Sequence, residues 1–456
     1  MTLLWRIAGA SIAGAVLYYA GIVNSMVIYE PSRAGAAAVV VAIGAALVLL
    51  FLSVHRTGGN DADLPVTRGR RVVMRGAWLF ICVMALVSLA WIWTAPRQRE
   101  FDWTPYHNDA IVLNECAARV LLAGGHPYRD LDLFACYRER GIGPDRTTPL
   151  RRGLFSDVAV YPDDDQLDAA WALRSRGQGE NVEFVWRPSY PPVSFLAIVP
   201  WVAAGWDTNV FYLLCLFAAM TLVLVRASPA ARPWLLTALL GATSTVAFTI
   251  GGSSDLLYAL PLVAAWLWRE RSWSAVAYGI SAATKQIAWF FAPFLFLQWL
   301  HAYGLRAAAQ RALVAATTFF VLNAPWLLTD AGAWLAGLVN PVAEPMFPRG
   351  AGVVFLGTNG VGPLLPNAAY LALEALAFGA ALFVAWRERA RSPELGIVLA
   401  IVPLYFAHRS LFSYFFLLPL FALAGLARQP AMAAAVEQAR RAAALTIFAV
   451  PASKER

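Results

Sequence analysis

The chain is 456 residues long, 59% hydrophobic and only 14% charged, with 18 tryptophans and a mean hydropathy of +0.58. So much apolar surface excludes a soluble domain and describes an all-α, polytopic membrane protein. The net charge of +8 comes from arginines in short loops between apolar runs, so it reports topology and argues against a nucleic-acid partner.

The first apolar run, "LLWRIAGASIAGAVLYYAGIVNSMVIY", carries Arg6 but is too long for a signal-peptide core, and it reads as a retained helix. Further runs long enough to cross, or nearly so, follow at 35–54, 73–94, 208–225, 233–250, 254–268, 273–285, 287–303, 311–328, 367–386, 394–407 and 411–427. With the first run they predict about twelve transmembrane helices. Three shorter pieces rich in Gly or Pro, 191–204, 332–339 and 351–365, read as re-entrant or interfacial. The organisation expected is two N-terminal spans (1–72), a main membrane domain (73–430), and an alanine-rich amphipathic tail (431–456) along the cytoplasmic interface.

Arginine clusters set the orientation. "RGRRVVMR" (68–75), Arg226 with Arg232, "RERS" (269–272), Arg306 with Arg311, and "RERAR" (387–391) all fall on the cytoplasmic side if both termini are inside. Counting 191–204 as a crossing would invert every later loop. One large hydrophilic segment, 95–188, is then left outside, edged by Trp91, Trp93, Trp103 and Trp186. Cys116 and Cys136 both lie in it, either bridged in an oxidising compartment or packed as small apolar residues. Cys82 and Cys215 fall within spans.

In that outer segment "YHNDAIVLNECAARVLLAGGHPY" (106–128) has helical spacing of Ile111, Val112, Ala117, Val120 and Leu121, and ends in Gly124, Gly125 and Pro127. Asn108 or Asp109 caps its start. Tyr106, His107 and His126 flank it and are candidate acceptor contacts. The later "YPDDDQLD" (161–168) gathers Asp163, Asp164, Asp165 and Asp168, and reads as a solvated acidic turn rather than a cation site. No metal and no cofactor is expected.

Two lysines occur in the whole chain, and one of them, Lys285, sits in the apolar "SAATKQIAWFF". The run ending there has about 13 residues at 1.5 Å each, short of the bilayer thickness, so Lys285 is expected in a recessed outer cavity. An ionisable residue at that depth marks a site, or else snorkels to the interface. On the same face "TIGGSSDLLYALP" carries Asp255, a helix cap or a functional carboxylate, and "HRSLFSYFFLLP" carries His408 and Arg409 against the positive-inside pattern.

Three pieces together, an Asp at the head of a helix ending "LLAGGHPY", a "YPP" (Tyr190, Pro191, Pro192) before an apolar run, and "GISAATKQ", resemble the GT-C superfamily of membrane glycosyltransferases. The likeness is closest to glycosyltransferase family 87, the polyprenyl-phosphate-mannose-dependent mannosyltransferases, and covers about 75–430. It implies a GT-C-like fold with a large extracytoplasmic loop. It also implies Asp109 as the base, Lys285 near the donor phosphate with Arg409 and His408, and a substrate cavity reached by Tyr106, His107, Asn108, Tyr190, Asp255, Gln286 and Tyr414. The partners implied are a polyprenyl-phosphate sugar donor, with mannose the expected sugar, a lipid or glycan acceptor, and membrane lipids. The location implied is the plasma (inner) membrane with the site facing outward. Residues 129–186 lengthen the family's loop, and two spans precede the one carrying it. A transporter or flippase of lipid-linked sugars is the alternative, although no internal repeat of the kind such proteins carry is visible.

Overall fold

A computed structural model describes residues 3–56, 68–94, 109–178 and 182–428 of the chain. Tyr106, His107, Asn108 and the tail 431–456 lie outside the described residues. The described chain is mostly helical, as an apolar chain in lipid must be, because a helix satisfies its own backbone hydrogen bonds.

Helices α1 (Leu3–Tyr29) and α2 (Arg33–Val54) form a hairpin, followed by α3 (Arg68–Thr94). Arg6 is not a loose charge in the first span. Its Nε and Nη2 donate to the carbonyls of Ser53 (2.6 Å) and Val54 (2.5 Å), the free acceptors at the negative end of α2. The hydrophilic segment after α3 holds α4 (Asp109–Leu122), α5 (Pro127–Asp130), α6 (Leu133–Glu139) and α7 (Asp164–Ser175). Gly124, at φ 80°, stops α4: its N–H bonds Leu121 O and the Gly125 N–H bonds Val120 O, the paired bonds of a Schellman end. Asp163 caps α7 in a capping box with Gln166, and Asp164, Asp165 and Asp168 lie within that helix, so the run read as an acidic turn is a helix start.

The chain continues through α8 (Val193–Leu196) and α9 (Val199–Ala203), both packed on α4 and each too short by itself to cross a bilayer. Then come α10 (Thr208–Arg226), α11 (Arg232–Gly241), α12 (Thr243–Ile250), α13 (Leu256–Leu267) and α14 (Ser274–Ala282). A 3-10 turn at Gln286–Phe291 leads into α15 (Ala292–Thr329), which is broken at Gly304. Last are α16 (Ala331–Ala343), strand β1 (Arg349–Gly350), α17 (Val354–Thr358), α18 (Asn367–Arg387), α19 (Gly396–Leu399), strand β2 (Arg409–Ser410) and α20 (Leu418–Ala427).

Among the described residues six helices are long and apolar enough to cross a membrane, or seven if α11 and α12, bent by 56°, count as one span. This is fewer than the twelve expected. Two expected crossings share the broken helix through Gly304, and four are shorter helices: α13, α14, Pro393–Tyr405 and Phe412–Ala427. The shortening has a local cause. Gly251–Ser254 form a turn, Lys285 is extended (φ −155°, ψ 141°), and the chain around 406–411 leaves the helix, so each of these helices is shorter than a continuous span. Irregular backbone at that depth is tolerated where it lines a cavity.

The N-terminal helices are part of the main bundle and not an appendage: α1 packs against α11, α12 and α20 through small buried residues such as Ala8, Ala10 and Ala13. At the far end of α13, Arg269 binds Glu394 in the interior (2.7 Å), and Trp266 Nε1 donates to the same carboxylate. Arg428 and Arg226 both pair with Glu270. The "RERS" run, read as a positive loop, therefore joins an ion-pair network in which three arginines, Arg226, Arg269 and Arg428, meet two carboxylates, Glu270 and Glu394, and a positive excess remains.

Candidate active site

A cavity of about 790 Å³, within the usual range for a ligand site, opens where the interrupted helices end. Of the expected site residues, Asp109, Tyr190, Asp255, Lys285, Gln286, Arg409 and Tyr414 line it. His408 does not: its ring packs on Tyr370 at 5.8 Å between centroids. In extended chain successive side chains point opposite ways, so seating Arg409 in the cavity turns its neighbour away. His126 is also outside, its ring edge-on to Tyr128.

Asp109 is the first residue of α4, where the free N–H end favours a negative charge. Thr148 Oγ1 donates to Asp109 Oδ2 (3.0 Å), and the Tyr137 hydroxyl donates to the Asp109 carbonyl at 3.5 Å. Tyr137 follows Cys136, which is disulfide-bonded to Cys116 on α4, Cα to Cα 6.3 Å, so α6 is tied to the helix carrying the carboxylate. Burial raises the Asp109 carboxyl above its ordinary value; the Thr148 hydrogen bond, then the charges of Arg409, Arg349 and Lys285, pull it back down.

Lys285, which the resemblance puts near the donor phosphate, is paired with a carboxylate. Its Nζ donates to Asp255 Oδ1 at 2.5 Å, with side-chain exposures of 12% and 5% for Lys285 and Asp255, and it lies 4.8 Å from the centre of the Tyr190 ring. Ser253 Oγ donates to the other Asp255 oxygen (3.1 Å). Asp255 sits at the head of α13 but makes no side-chain cap bond; the lysine takes that carboxylate instead. Gln286 holds the walls together, its amide donating to Ser189 O (2.6 Å) and Leu338 O (3.0 Å).

Among the described residues of the cavity wall, the cations without a carboxylate partner are Arg409 and Arg349. Strands β1 and β2 pair in parallel with Arg349 opposite Arg409 and Gly350 opposite Ser410, and both arginines line the cavity. Gly350, at φ 147°, permits this: a Cβ there would lie 2.1 Å from Ser410 O. Arg349 is also pinned from above, its guanidinium 3.9 Å from the Tyr161 ring centre. Phe347 beside it is buried in a small outer core with Phe155, Leu167, Ala170 and Phe184. Arg409 Nη1 is buried without a hydrogen-bond partner among the described residues. A buried guanidinium nitrogen left unbonded costs free energy until an acceptor arrives.

Sequence reasoning missed Arg349, Thr148 and the contribution of α1, whose Tyr18, Gly21, Ile22 and Ser25 face the cavity at helical spacing. Arg349 carried the same signal as Arg409, a cation outside the clusters that set the orientation. Thr148 carried none. Among the described residues no three His, Cys, Asp or Glu side chains converge as metal ligands. Compared with known proteins, the chain matches no family model, no curated protein and no solved structure.

Proposed function

We propose that the protein is an integral membrane glycosyltransferase that moves a sugar, mannose by resemblance, from a polyprenyl-phosphate donor to a lipid or glycan hydroxyl. The observation that carries this reading is one cavity holding a half-buried carboxylate, Asp109, and two guanidiniums that no described carboxylate neutralises, Arg349 and Arg409. The charges balance for such a reaction. Lys285 is offset by Asp255, and Arg146 lies 3.6 Å from Asp145. What remains is Asp109 against two arginines, an excess of one positive charge, which suits the single negative charge of a phosphodiester better than a diphosphate.

In the reaction the acceptor hydroxyl gives its proton to Asp109 while its oxygen attacks the anomeric carbon. The bond from that carbon to the phosphate oxygen breaks, and the electron pair leaves on the phosphate, which gains the negative charge that Asp109 loses. Arg349 and Arg409 lie where that charge grows, and such preorganised donors are usually the largest contribution to rate. Attack opposite the leaving phosphate inverts the anomeric centre. The Cys116–Cys136 bond supports placing this side of the protein in an oxidising, extracytoplasmic compartment of the cell envelope.

The test is to incubate purified protein with radiolabelled polyprenyl-phosphate-mannose and a lipid extract, and to follow the label. Transfer to a new product is expected. Label that never leaves any polyprenyl-phosphate sugar supplied, with a folded protein, would sink the proposal.

A further inference from the structure

The step just described leaves one buried charged pair without a task. Asp255 and Lys285 line the cavity with their charges cancelled, and removing two charges from water is a cost that packing alone does not require. Their hydrogen-bonding capacity is not used up. The ammonium has three N–H donors, one of which goes to Asp255. Each Asp255 oxygen, one bonded by Lys285 and the other by Ser253, keeps a second lone pair. Tyr190 lies beneath the ammonium and Tyr414 lines the same wall; among the described residues neither phenol hydroxyl has a hydrogen-bond partner.

Donors and acceptors set side by side with no net charge are what a polyol needs, since each sugar hydroxyl both donates and accepts. A phosphate finds better partners in the two uncompensated arginines, and a charged sugar would have to break the Asp255–Lys285 pair.

We infer that Asp255 and Lys285, with the Tyr190 and Tyr414 phenols, form a recognition subsite for an uncharged sugar ring, beside the Arg349–Arg409 anion site in the same cavity. The inference rests on the transferase reading and reassigns Lys285 from the phosphate to the glycosyl group.

Two probes test it: bare polyprenyl phosphate and polyprenyl-phosphate-mannose, with affinity measured by titration of the purified full chain in detergent. Because a single substitution would strand a buried charge, the variant is the neutral double Asp255→Asn with Lys285→Gln; Tyr190→Phe is the second, removing only a hydroxyl. Both are expected to bind the bare lipid phosphate as the unaltered protein does. For the sugar-bearing donor the double variant should bind about tenfold to a hundredfold more weakly, and Tyr190→Phe several-fold more weakly. Equal loss for both probes in the double variant would put the pair in the phosphate site, and unchanged affinity for both would remove it from recognition; either result overturns the inference while the transferase reading stands. If the unaltered protein binds neither probe, the transferase reading fails and the subsite fails with it.

Discussion

Arg349 and Arg409 stand opposite each other in the register of a two-residue parallel sheet, though a long stretch of chain and helix α18 separate them. Two like charges held this close are unfavourable unless an anion is to be bound between them, which makes the pair the most direct pointer to the ligand's charge. Substituting either by Gln removes one charged hydrogen-bonding partner, worth about 1.5 to 3 kcal/mol. Affinity for polyprenyl phosphate should fall about tenfold or more in each single variant, and its salt dependence should weaken. Titration at two ionic strengths reads both; an unaffected affinity in Arg349→Gln would remove that residue from the site.

Asp109→Asn keeps the shape and the Thr148 contact but cannot accept a proton. Sugar transfer should drop by about a hundredfold to ten-thousandfold, with donor affinity and melting temperature near those of the unaltered protein. Single-turnover transfer measures it, and a transporter of lipid-linked sugars would retain most of its activity in this variant.

The pH dependence follows from the same carboxylate. It works as a base only when ionised, so the rate rises with pH through its pKa, and burial places that rise above the range of an ordinary carboxylate. The Thr148 hydrogen bond lowers the pKa, so Thr148→Val should move the rising limb further toward high pH, and Thr148→Ser should leave it in place. A limb that moves down in Thr148→Val contradicts the assignment.

The Cys116–Cys136 bond closes a loop with a sequence separation of 20, worth about 3 kcal/mol in the chain-entropy account. Its larger effect here is on position, since it ties α6 and Tyr137 to the helix carrying Asp109. Reduction should lower the melting temperature and slow transfer, while affinity for bare polyprenyl phosphate, assigned under the proposal to Arg349 and Arg409, should change little. Thiol labelling in denaturant before reduction should modify Cys82 and Cys215 and spare Cys116 and Cys136.

Glu394 offers a stability test well away from the cavity. It is 3% exposed, accepts from Arg269 and Trp266, and lies 3.6 Å from Arg428. Glu394→Gln strands buried positive charge and should cost about 3 to 5 kcal/mol, read as a fall in folded yield and in melting temperature. A melting curve like that of the unaltered protein would show that water reaches this network.

Part of the site is legible in the linear chain. The apolar runs, the helix that Asp109 opens and the burial of Lys285 follow from composition and periodicity, because lipid leaves few options for apolar helices and few reasons to bury a lysine. His408 is misplaced by the same reasoning, because chain adjacency to Arg409 says nothing about which way an extended segment turns its side chains. Hydropathy registers an apolar segment whether its helix continues or breaks, so it does not show the breaks at Gly251–Ser254 and at Lys285.

The amino-acid sequence by itself determined the class, a helical membrane protein with a hydrophilic segment bearing an acid, since those properties depend on how residues partition between water and lipid and on local helix chemistry. Only the tertiary structure decided which charges are free. It joined Lys285 to Asp255, left Arg349 beside Arg409, and brought α1 into the wall. Charge pairing depends on distances of a few ångströms between residues far apart in the chain, and local sequence does not encode those distances.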